Sequence, residues 1–457
     1  VPGYKFMPAF RNRMWDGKIR IFTLRDKTLP AGLFYHLNEF CDKRGYILKS
    51  ETSDFGAPDE RIHITRSSLD NFCNSLNTPF PLRDYQYQCV GEAITRKRAI
   101  LLSPTGSGKS FIIYTLIRWY LENYNDKVLI IVPTTSLVEQ MNSDFWEYGF
   151  DVDKEVHKIY SGKDKDTDKR VIVSTWQSIY KLPKVWFEQF GAVFGDECHG
   201  FKSKSLMNIM NKATNAEFRF GTTGTLDGSQ THELVLQGLF GKVYRVTTTK
   251  QLQDNDTLAK LEIKRLVLEY DNQVRKDFGK QTYQDEIAFI VEHEKRNKFI
   301  KNLALDLKGN TLILYNYVEK HGKPLFNLIR DAADEDRKVF FVSGDVATSD
   351  REAIRGIVEK QENSITVASL GTFSTGINIR NLHNIVFASP SKSQIRVLQS
   401  IGRGLRKSDN EKPTVLYDIS DDISWKNRKN YSLIHSWERL KIYQNEQFDY
   451  KTIKVNI

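Results

Sequence analysis

The run Ile100-Leu101-Leu102-Ser103-Pro104-Thr105-Gly106-Ser107-Gly108-Lys109-Ser110, followed by residues 111–121, decides the fold of this 457-residue chain. An apolar run ends in a loop with two glycines, then Lys-Ser, then a helix-like stretch. Strand, loop and helix in that order let successive backbone N–H groups turn inward and cradle phosphate oxygens at a helix N-terminus. Thr105, Gly106, Ser107 and Gly108 supply the small residues. Lys109 can reach the β- and γ-phosphates, and the Ser110 hydroxyl offers an oxygen to Mg²⁺. The pattern G-x-x-x-x-G-K-[ST] would place its first glycine at 103, where this chain has Ser103. A plain Gly/Ser turn before a helix satisfies most of the same letters, so partners further along decide the reading.

The decisive partner is Asp196-Glu197-Cys198-His199, which follows the apolar run at 192–195. An acid at a strand end downstream of a phosphate loop can hold Mg²⁺, and the adjacent Glu can orient or deprotonate the attacking water. Residues 128–132, 171–174 and 218–221 are also short apolar runs, with helical stretches between most of them. This alternation predicts a parallel sheet covered on both faces. Ligands of such sheets bind at the carboxyl ends of the strands. Pro133-Thr134-Thr135, Thr175 and Thr222-Thr223-Gly224-Thr225 fall at those ends.

A second α/β series follows, with strands expected at 311–315, 338–342, 364–368, 384–388 and 414–417 and no second phosphate loop. It carries two clusters, Gly371-Thr372-Phe373-Ser374-Thr375-Gly376-Ile377 and Gln399-Ser400-Ile401-Gly402-Arg403-Gly404-Leu405-Arg406. Arg403 and Arg406 are three apart and share a face on a helix turn. Two such cations suit contact with a γ-phosphate when two domains close over ATP. Residues 246–285 are polar and less periodic, apart from an alternating strand at 261–270, and read as a hinge region.

Residues 1–78 read as a small α+β unit, with strands at 18–22 and 61–64 and an amphipathic helix at 32–43 carrying Leu33, Leu37 and Phe40 on one face. Lys5, Arg11, Arg13, Lys18 and Arg20 stand against one acid, Asp16, with Tyr4, Phe6, Phe10 and Trp15 interleaved. Cations plus aromatic faces are what backbone tracking and base stacking need, which makes Arg11, Arg13 and Trp15 candidate nucleic-acid contacts. A solvated basic face over a small aromatic core gives the same pattern. Thr78-Pro79-Phe80-Pro81 marks a stiff boundary. The domains expected are therefore 1–78, 79–248 and 249–457. Just after the boundary comes Gln86, whose amide donates and accepts at once and could read adenine N6 and N7.

The formal charge of +10 favours a polyanionic partner such as nucleic acid. No run of about eighteen apolar residues exists, so no membrane span is expected. Cys41, Cys73, Cys89 and Cys198 are scattered with no C-x-x-C pair, which argues against structural zinc and disulfides and fits a reducing cytoplasm. No signal peptide is visible. The chain opens on Val1 in mid-pattern, which predicts a natural start upstream.

From Leu82 to Arg406 these motifs, in this order and at this spacing, resemble the superfamily 2 helicases. The resemblance implies two RecA-like parallel-sheet domains in tandem, with ATP and Mg²⁺ in the cleft between them. It assigns Gln86 to adenine, Lys109 and Ser110 to phosphate and metal, Asp196 to metal and Glu197 to water activation. Gly376 falls to the nucleotide, and Gln399, Arg403 and Arg406 to γ-phosphate sensing, with Arg406 preferred over Arg403 as the finger. Thr222 and Thr225 would couple nucleotide to strand, and Thr134, Thr175 and Thr372 would hold strand phosphates. Ser103 is common at its position in this group. The D-E-C-H form and the segments Trp15-Asp16-Gly17-Lys18-Ile19-Arg20 and Leu29-Pro30-Ala31-Gly32-Leu33 look similar to phage recombination helicases. That likeness implies branched DNA (forks, four-way junctions, RNA–DNA hybrids at D- or R-loops) handled in recombination and repair in a host cytoplasm. Three rivals stay open: a translocase that remodels protein–nucleic-acid complexes, an RNA helicase, and a non-catalytic binding protein. D-E-A-D would have favoured the second, and intact Lys109, Glu197 and Arg406 speak against the third.

Overall fold

Short strands of β-branched and aliphatic residues, buried on both faces, build two sheets in the computed structural model. It describes all residues except 1–3, 50–60, 161, 227–229, 256, 259, 279–281, 345–353, 355, 359, 373–380 and 390–412. The chain divides into two compact units. One comprises Val1–Pro104 and Gly108–Thr247, the other Thr105–Ser107 and Thr248–Ile457.

In the first unit, helices α1 (Phe34–Asp42), α2 (Arg66–Ser75) and α3 (Asp84–Arg96) precede β1 (Arg98–Leu102) and α4 (Lys109–Asn123). Then come β2 (Lys127–Val132), α5 (Thr135–Glu147), β3 (Val156–Ile159), β4 (Val171–Thr175), β5 (Phe190–Asp196), β6 (Phe218–Thr223), α6 (Gln230–Phe240) and β7 (Val243–Arg245). The sheet order is β3-β4-β2-β5-β6-β1-β7, and all its pairs are parallel. The period of two splits each strand between two core layers. In β2, Val128, Ile130 and Val132 face one layer, and Leu129 and Ile131 the other. The α4 helix after the phosphate loop is sunk into the first layer through Phe111, Ile112, Ile113, Leu116 and Ile117. Each such side chain contributes roughly 1.5–3 kcal/mol by leaving water.

The first 78 residues lean on this sheet's helices. Leu69, Phe72 and Leu76 join the same layer as α4. Tyr35 of α1 donates its hydroxyl to Gln237 Oε1 of α6 at 2.6 Å. Gly32 lies so close to α6 that a Cβ there would sit 2.0 Å from the Gln237 carbonyl oxygen. The two strands expected at 18–22 and 61–64 do not form. Both stretches lack a ladder partner among the described residues, and only an isolated bridge joins Thr23 to Thr28. Ile62 and Ile64 spend their apolar surface against the helical layer instead. Alternation without a neighbouring strand does not make a sheet.

The second unit contains β8 (Leu261–Glu269), α7 (Tyr283–Glu292), α8 (Glu294–Asp306), β9 (Thr311–Tyr315), α9 (Lys323–Arg330), β10 (Val339–Val342), β11 (Ile365–Ser369), β12 (Asn384–Phe387), β13 (Thr414–Asp422), α10 (Tyr431–Asn445) and β14 (Asp449–Asn456). Its order is β10-β11-β9-β12-β13-β8-β14. Subtracting seven from each label reproduces the order of the first sheet. The chain thus holds two RecA-like parallel sheets of one topology. The alternating strand of the expected hinge is β8, which pairs with β13 and β14 inside the second sheet. Two buried ion pairs fasten helices to β13: Arg296 of α8 to Asp421 and Arg439 of α10 to Asp418, both at 2.7 Å. Removing one member of such a pair costs about 3–5 kcal/mol, because the other charge stays buried. Among the described residues no helix is long and apolar enough to cross a membrane.

Candidate active site

The site in the first unit follows from strand order. Because β5 pairs with β6 and β6 with β1, their carboxyl ends meet. Register sets Asp196 opposite Thr222 and Leu102 opposite Thr223. The Ser103 N–H donates to the Thr223 carbonyl at 2.9 Å, so the phosphate loop starts beside the acids. Gly106 and Gly108 both take left-handed backbone, φ +83° and +76°.

Gly108 is also sterically fixed, since a Cβ there would lie 2.4 Å from Gln86 Nε2. The Gln86 amide is buried, and its Oε1 accepts from the Arg83 N–H at 3.0 Å, capping α3. Lys109 Nζ donates to the Ser103 and Pro104 carbonyls at 3.2 and 3.3 Å. Ser110 Oγ lies 2.9 Å from the Tyr148 hydroxyl. Burial pushes that phenol up to about 12, so it stays a neutral hydrogen-bonding partner. Tyr148 in turn packs edge-on against Phe111 and Phe80.

Asp196 accepts the Thr222 hydroxyl at 2.7 Å. Loss of water raises its carboxyl above the ordinary carboxylate range, and the neighbouring Glu197 charge raises it further. Lys109 and the Thr222 bond pull the other way. Glu197 stands at φ +49°, left-handed backbone that costs a non-glycine residue of the order of 1 kcal/mol. Its carbonyl accepts from the Gly200 N–H at 3.0 Å, which closes the turn. His199 Nδ1 lies 3.3 Å from Glu197 Oε2 and 3.0 Å from Thr223 Oγ1. The Thr223 hydroxyl donates to the Thr225 carbonyl at 2.9 Å. With that proton on Thr225, a hydrogen on His199 Nδ1 would face both Thr223 Oγ1 and the Glu197 carboxylate. A chain Glu197–His199–Thr223–Thr225 results. The Thr225 hydroxyl is buried with no hydrogen-bond partner among the described residues, so Thr225 joins the chain through its backbone. Cys198 packs against Gly221, where a Cβ would lie 2.9 Å from its own, and burial and nearby acids hold its thiol well above the ordinary range.

The structure thus gathers the loop, Asp196, Glu197 and Thr222 at one sheet edge. Thr134, at the carboxyl end of β2, caps α5, and Thr175 ends β4 with its hydroxyl 2.9 Å from Ser178 Oγ. In the second unit Thr372 follows β11 and receives the Ser369 hydroxyl at 2.6 Å. Arg11, Arg13 and Trp15 line one open groove of about 760 Å³ with Lys5, Phe10 and Arg20. The Trp15 indole donates to the Lys18 carbonyl at 2.8 Å, and Asp16 is held by Arg20. Gly376, Gln399, Arg403 and Arg406 lie outside the described residues. Sequence reasoning gave no role to His199, Thr223 or Tyr148. The first two sit within motifs already singled out. Tyr148 left no signal, because its contact with Ser110 spans 38 positions.

The donors fit Mg²⁺ and a nucleotide. One carboxylate and one hydroxyl are hard oxygens, and Mg²⁺ completes such a set with waters and substrate phosphates. Among the described residues no three His, Cys, Asp or Glu side chains cluster as a metal cage. The two glycines adopt the left-handed backbone that a phosphate-cradling loop uses to turn its N–H groups inward.

The chain is similar to known helicases and restriction-enzyme subunits. Residues 79–228 match the family described as type III restriction enzyme, res subunit. Residues 1–50 match the family described as DNA helicase UvsW, N-terminal. The ATP-dependent DNA helicase uvsW of enterobacteria phage T4 is 36% identical over 477 aligned residues, covering 100% of this chain and 93% of that protein. The crystal structure of T4 UvsW aligns at 35% identity over 100% of this chain and 93% of its own, with a TM-score of 0.49. A fragment of a putative HsdR subunit of a type I restriction enzyme from Vibrio vulnificus shares the fold: TM-score 0.59, 18% identity, 92% of this chain and 74% of that one.

Proposed function

The chain belongs to the superfamily 2 DNA helicases, in the UvsW group, and from that premise we propose that it couples ATP hydrolysis to movement along branched DNA in recombination and repair. It is an ATP-dependent helicase by family. The branched substrate, and the part each residue plays, are our reading. The observation that supports the reading most is the Thr222–Asp196 bond at 2.7 Å, which sets an acid and its orienting hydroxyl beside the phosphate loop.

In this reading the loop N–H groups and Lys109 hold phosphates, and Ser110 with Asp196 holds Mg²⁺. The ion, when bound, neutralises charge on the transferred phosphoryl group. Glu197 orients the attacking water and receives its proton, with His199 fixing the carboxylate's direction. Gln86, buried beneath Gly108, faces adenine only if its capping bond opens or is shared. Gly376 serves the nucleotide, and Gln399, Arg403 and Arg406 supply γ-phosphate contacts from the second domain. Thr134, Thr175 and Thr372 grip the phosphates of one strand, a contact that is sequence-independent and salt-sensitive. The basic aromatic groove of Arg11, Arg13 and Trp15 supplies the preference for branches, RNA–DNA hybrids included.

The test is ATPase rate with single-stranded, duplex, forked and four-way DNA and with RNA, alongside strand displacement on forks. Forks and junctions are expected to stimulate most, and Lys109→Ala to abolish the rate. Displacement absent despite stimulated ATPase would make the protein a translocase. Stimulation by RNA alone would make it an RNA helicase.

A further inference from the structure

Helix α10 has a buried face and, opposite it, an exposed face that carries large apolar side chains. Its buried face, Leu433, Ser436, Arg439, Ile442 and Tyr443, fixes it to the second sheet. The outward face repeats at helical spacing as Tyr431, Ile434 and Trp437, which are 39%, 43% and 46% exposed. Tyr283 of α7, 37% exposed, extends the stripe, with its ring 5.8 Å from Tyr431.

The charges around the stripe say what would cover it. Between 424 and 441 the exposed charged residues are Lys426, Arg428, Lys429 and Lys441, against the single acid Glu438, which is paired to Lys441 at 3.1 Å. Lys429 Nζ hangs 4.9 Å from the Trp437 ring centre, and the Arg265 guanidinium lies 5.7 Å from it. The nearest acid on α7, Glu286, is buried and its charge is taken up. It accepts from the N–H groups of Tyr431 and Ser432 and from the Asn430 amide. That cap also fixes the start of α10, so the stripe is held on a rigid element. The stripe begins at the carboxyl edge of the second sheet, since β13 ends at Asp422 and only residues 423–430 intervene.

We propose that this face is a stacking platform for a single-stranded segment of nucleic acid, with bases on Trp437 and Tyr431 and phosphates on Lys429 and its neighbours. Exposed rings interleaved with cations suit a polyanion that carries flat apolar bases, whereas an apolar protein partner would leave the cations uncompensated. The inference rests on the helicase reading above and adds a contact outside the groove of Arg11, Arg13 and Trp15.

The test is anisotropy of a labelled oligothymidylate with the full chain. Trp437→Ala and Tyr431→Ala should each weaken binding about tenfold, while Trp437→Phe keeps most of it. Lys429→Gln should reduce the slope of log affinity against log salt by about 0.7. Binding of ATP should stay at the wild-type level in all four variants. Both alanine variants binding within about twofold of wild type would overturn the proposal, since a stacked base is worth more than that. A dimer in sedimentation that Trp437→Ala converts to monomer would assign the face to a second copy, and would also overturn it. Wild-type protein whose ATPase ignores DNA would sink the helicase reading itself. Stimulated wild-type ATPase with unaltered variant binding sinks this inference alone.

Discussion

Gly108→Ala tests the geometry of the phosphate loop most directly. Two costs arise at once. An alanine at φ +76° costs about 1–2 kcal/mol, the left-handed penalty of an L-residue. Its Cβ would also sit 2.4 Å from Gln86 Nε2, closer than real contacts allow. Gln86 has little room to yield. It is buried, and its Oε1 holds the Arg83 N–H. Displacing it leaves a buried amide and a helix N–H unpaired, about 1–3 kcal/mol more. The loop therefore moves rather than the glutamine, and nucleotide binding must pay to bring it back. Together this is roughly 2–5 kcal/mol, well over tenfold in the dissociation constant for ATP. The assay is titration with a fluorescent ATP analogue, because unfolding of two units is not a two-state measurement. Repeating Gly108→Ala in a Gln86→Ala background isolates the clash. Only the backbone term should then remain, so the double-mutant cycle should show a coupling of about 1 kcal/mol or more. Strictly additive effects would refute the placement of the Gln86 amide beneath Gly108.

Glu197→Gln should bind ATP and DNA but turn over slowly, since shape is kept and the base removed; unchanged DNA-stimulated turnover would take Glu197 out of the chemistry. Arg406→Ala should bind DNA normally and lose turnover by on the order of 10³-fold or more, with little rescue by Lys, as for arginine fingers generally. Near-normal ATPase in both Arg403→Ala and Arg406→Ala would exclude a finger in this cluster. Thr222→Val should move the acid limb of the Mg²⁺-dependent rate to higher pH. Without metal the Asp196 carboxyl is raised above the ordinary carboxylate range, and it must be ionised to hold Mg²⁺, so protons compete with the metal as pH falls and activity at limiting Mg²⁺ falls with it. Thr222 favours the ionised form, so its loss raises the limb further, and Thr222→Ser should restore it; a pH–rate profile unchanged in the valine variant would show that this hydroxyl does not tune the acid. The stability sign is opposite: an acid titrating high costs folding free energy above the ordinary carboxylate range, and protonation removes that cost.

The parts of this protein legible in its sequence are those where function forces a local pattern. The loop at 103–110 and the acids at 196 and 197 need fixed residue types at fixed spacing, and strand order then brings them together. Buried strands such as β2 and β9 show as short apolar runs because both faces are covered. The edge strands β14 and β7 do not. β14, Asp-Tyr-Lys-Thr-Ile-Lys-Val-Asn, is mostly exposed and carries lysines, which protect an edge but erase the apolar signal. β7 is three half-exposed residues. Residues 18–22 and 61–64 show the reverse error: at 61–64 the alternation reports packing of Ile62 and Ile64 against the core, and at 18–22 Ile19 and Phe22 stay exposed. His199 and Tyr148 were unreadable for another reason. Their roles lie in distances to Thr223 and Ser110, and a sequence prints no distances.

The duplicated topology raises the question of why only one sheet carries a phosphate loop. The same three carboxyl ends exist in the second sheet, at β8, β12 and β13. Register makes the correspondence concrete. Thr222 lies opposite Leu101, the penultimate residue of β1, and Asp421 lies opposite Leu268, the penultimate residue of β8. In the first sheet that position presents a hydroxyl to Asp196. In the second it presents a carboxylate to Arg296, which is fully buried. Arg296 also donates to the carbonyl of Ala388, just beyond β12, and Tyr270, just beyond β8, donates its hydroxyl to Asp421 at 2.8 Å. A guanidinium, a carboxylate and a phenol thus fill the place where the other sheet keeps its acid and opens its loop. The phenol is held well above its ordinary value by burial and by the Asp421 charge, so it stays a donor. A phosphate would have to displace a buried ion pair, and removing either member costs several kcal/mol. One sheet is closed by a buried pair of opposite charges. The other is left with a carboxyl raised above its ordinary range, the condition under which a metal ion has something to gain by binding.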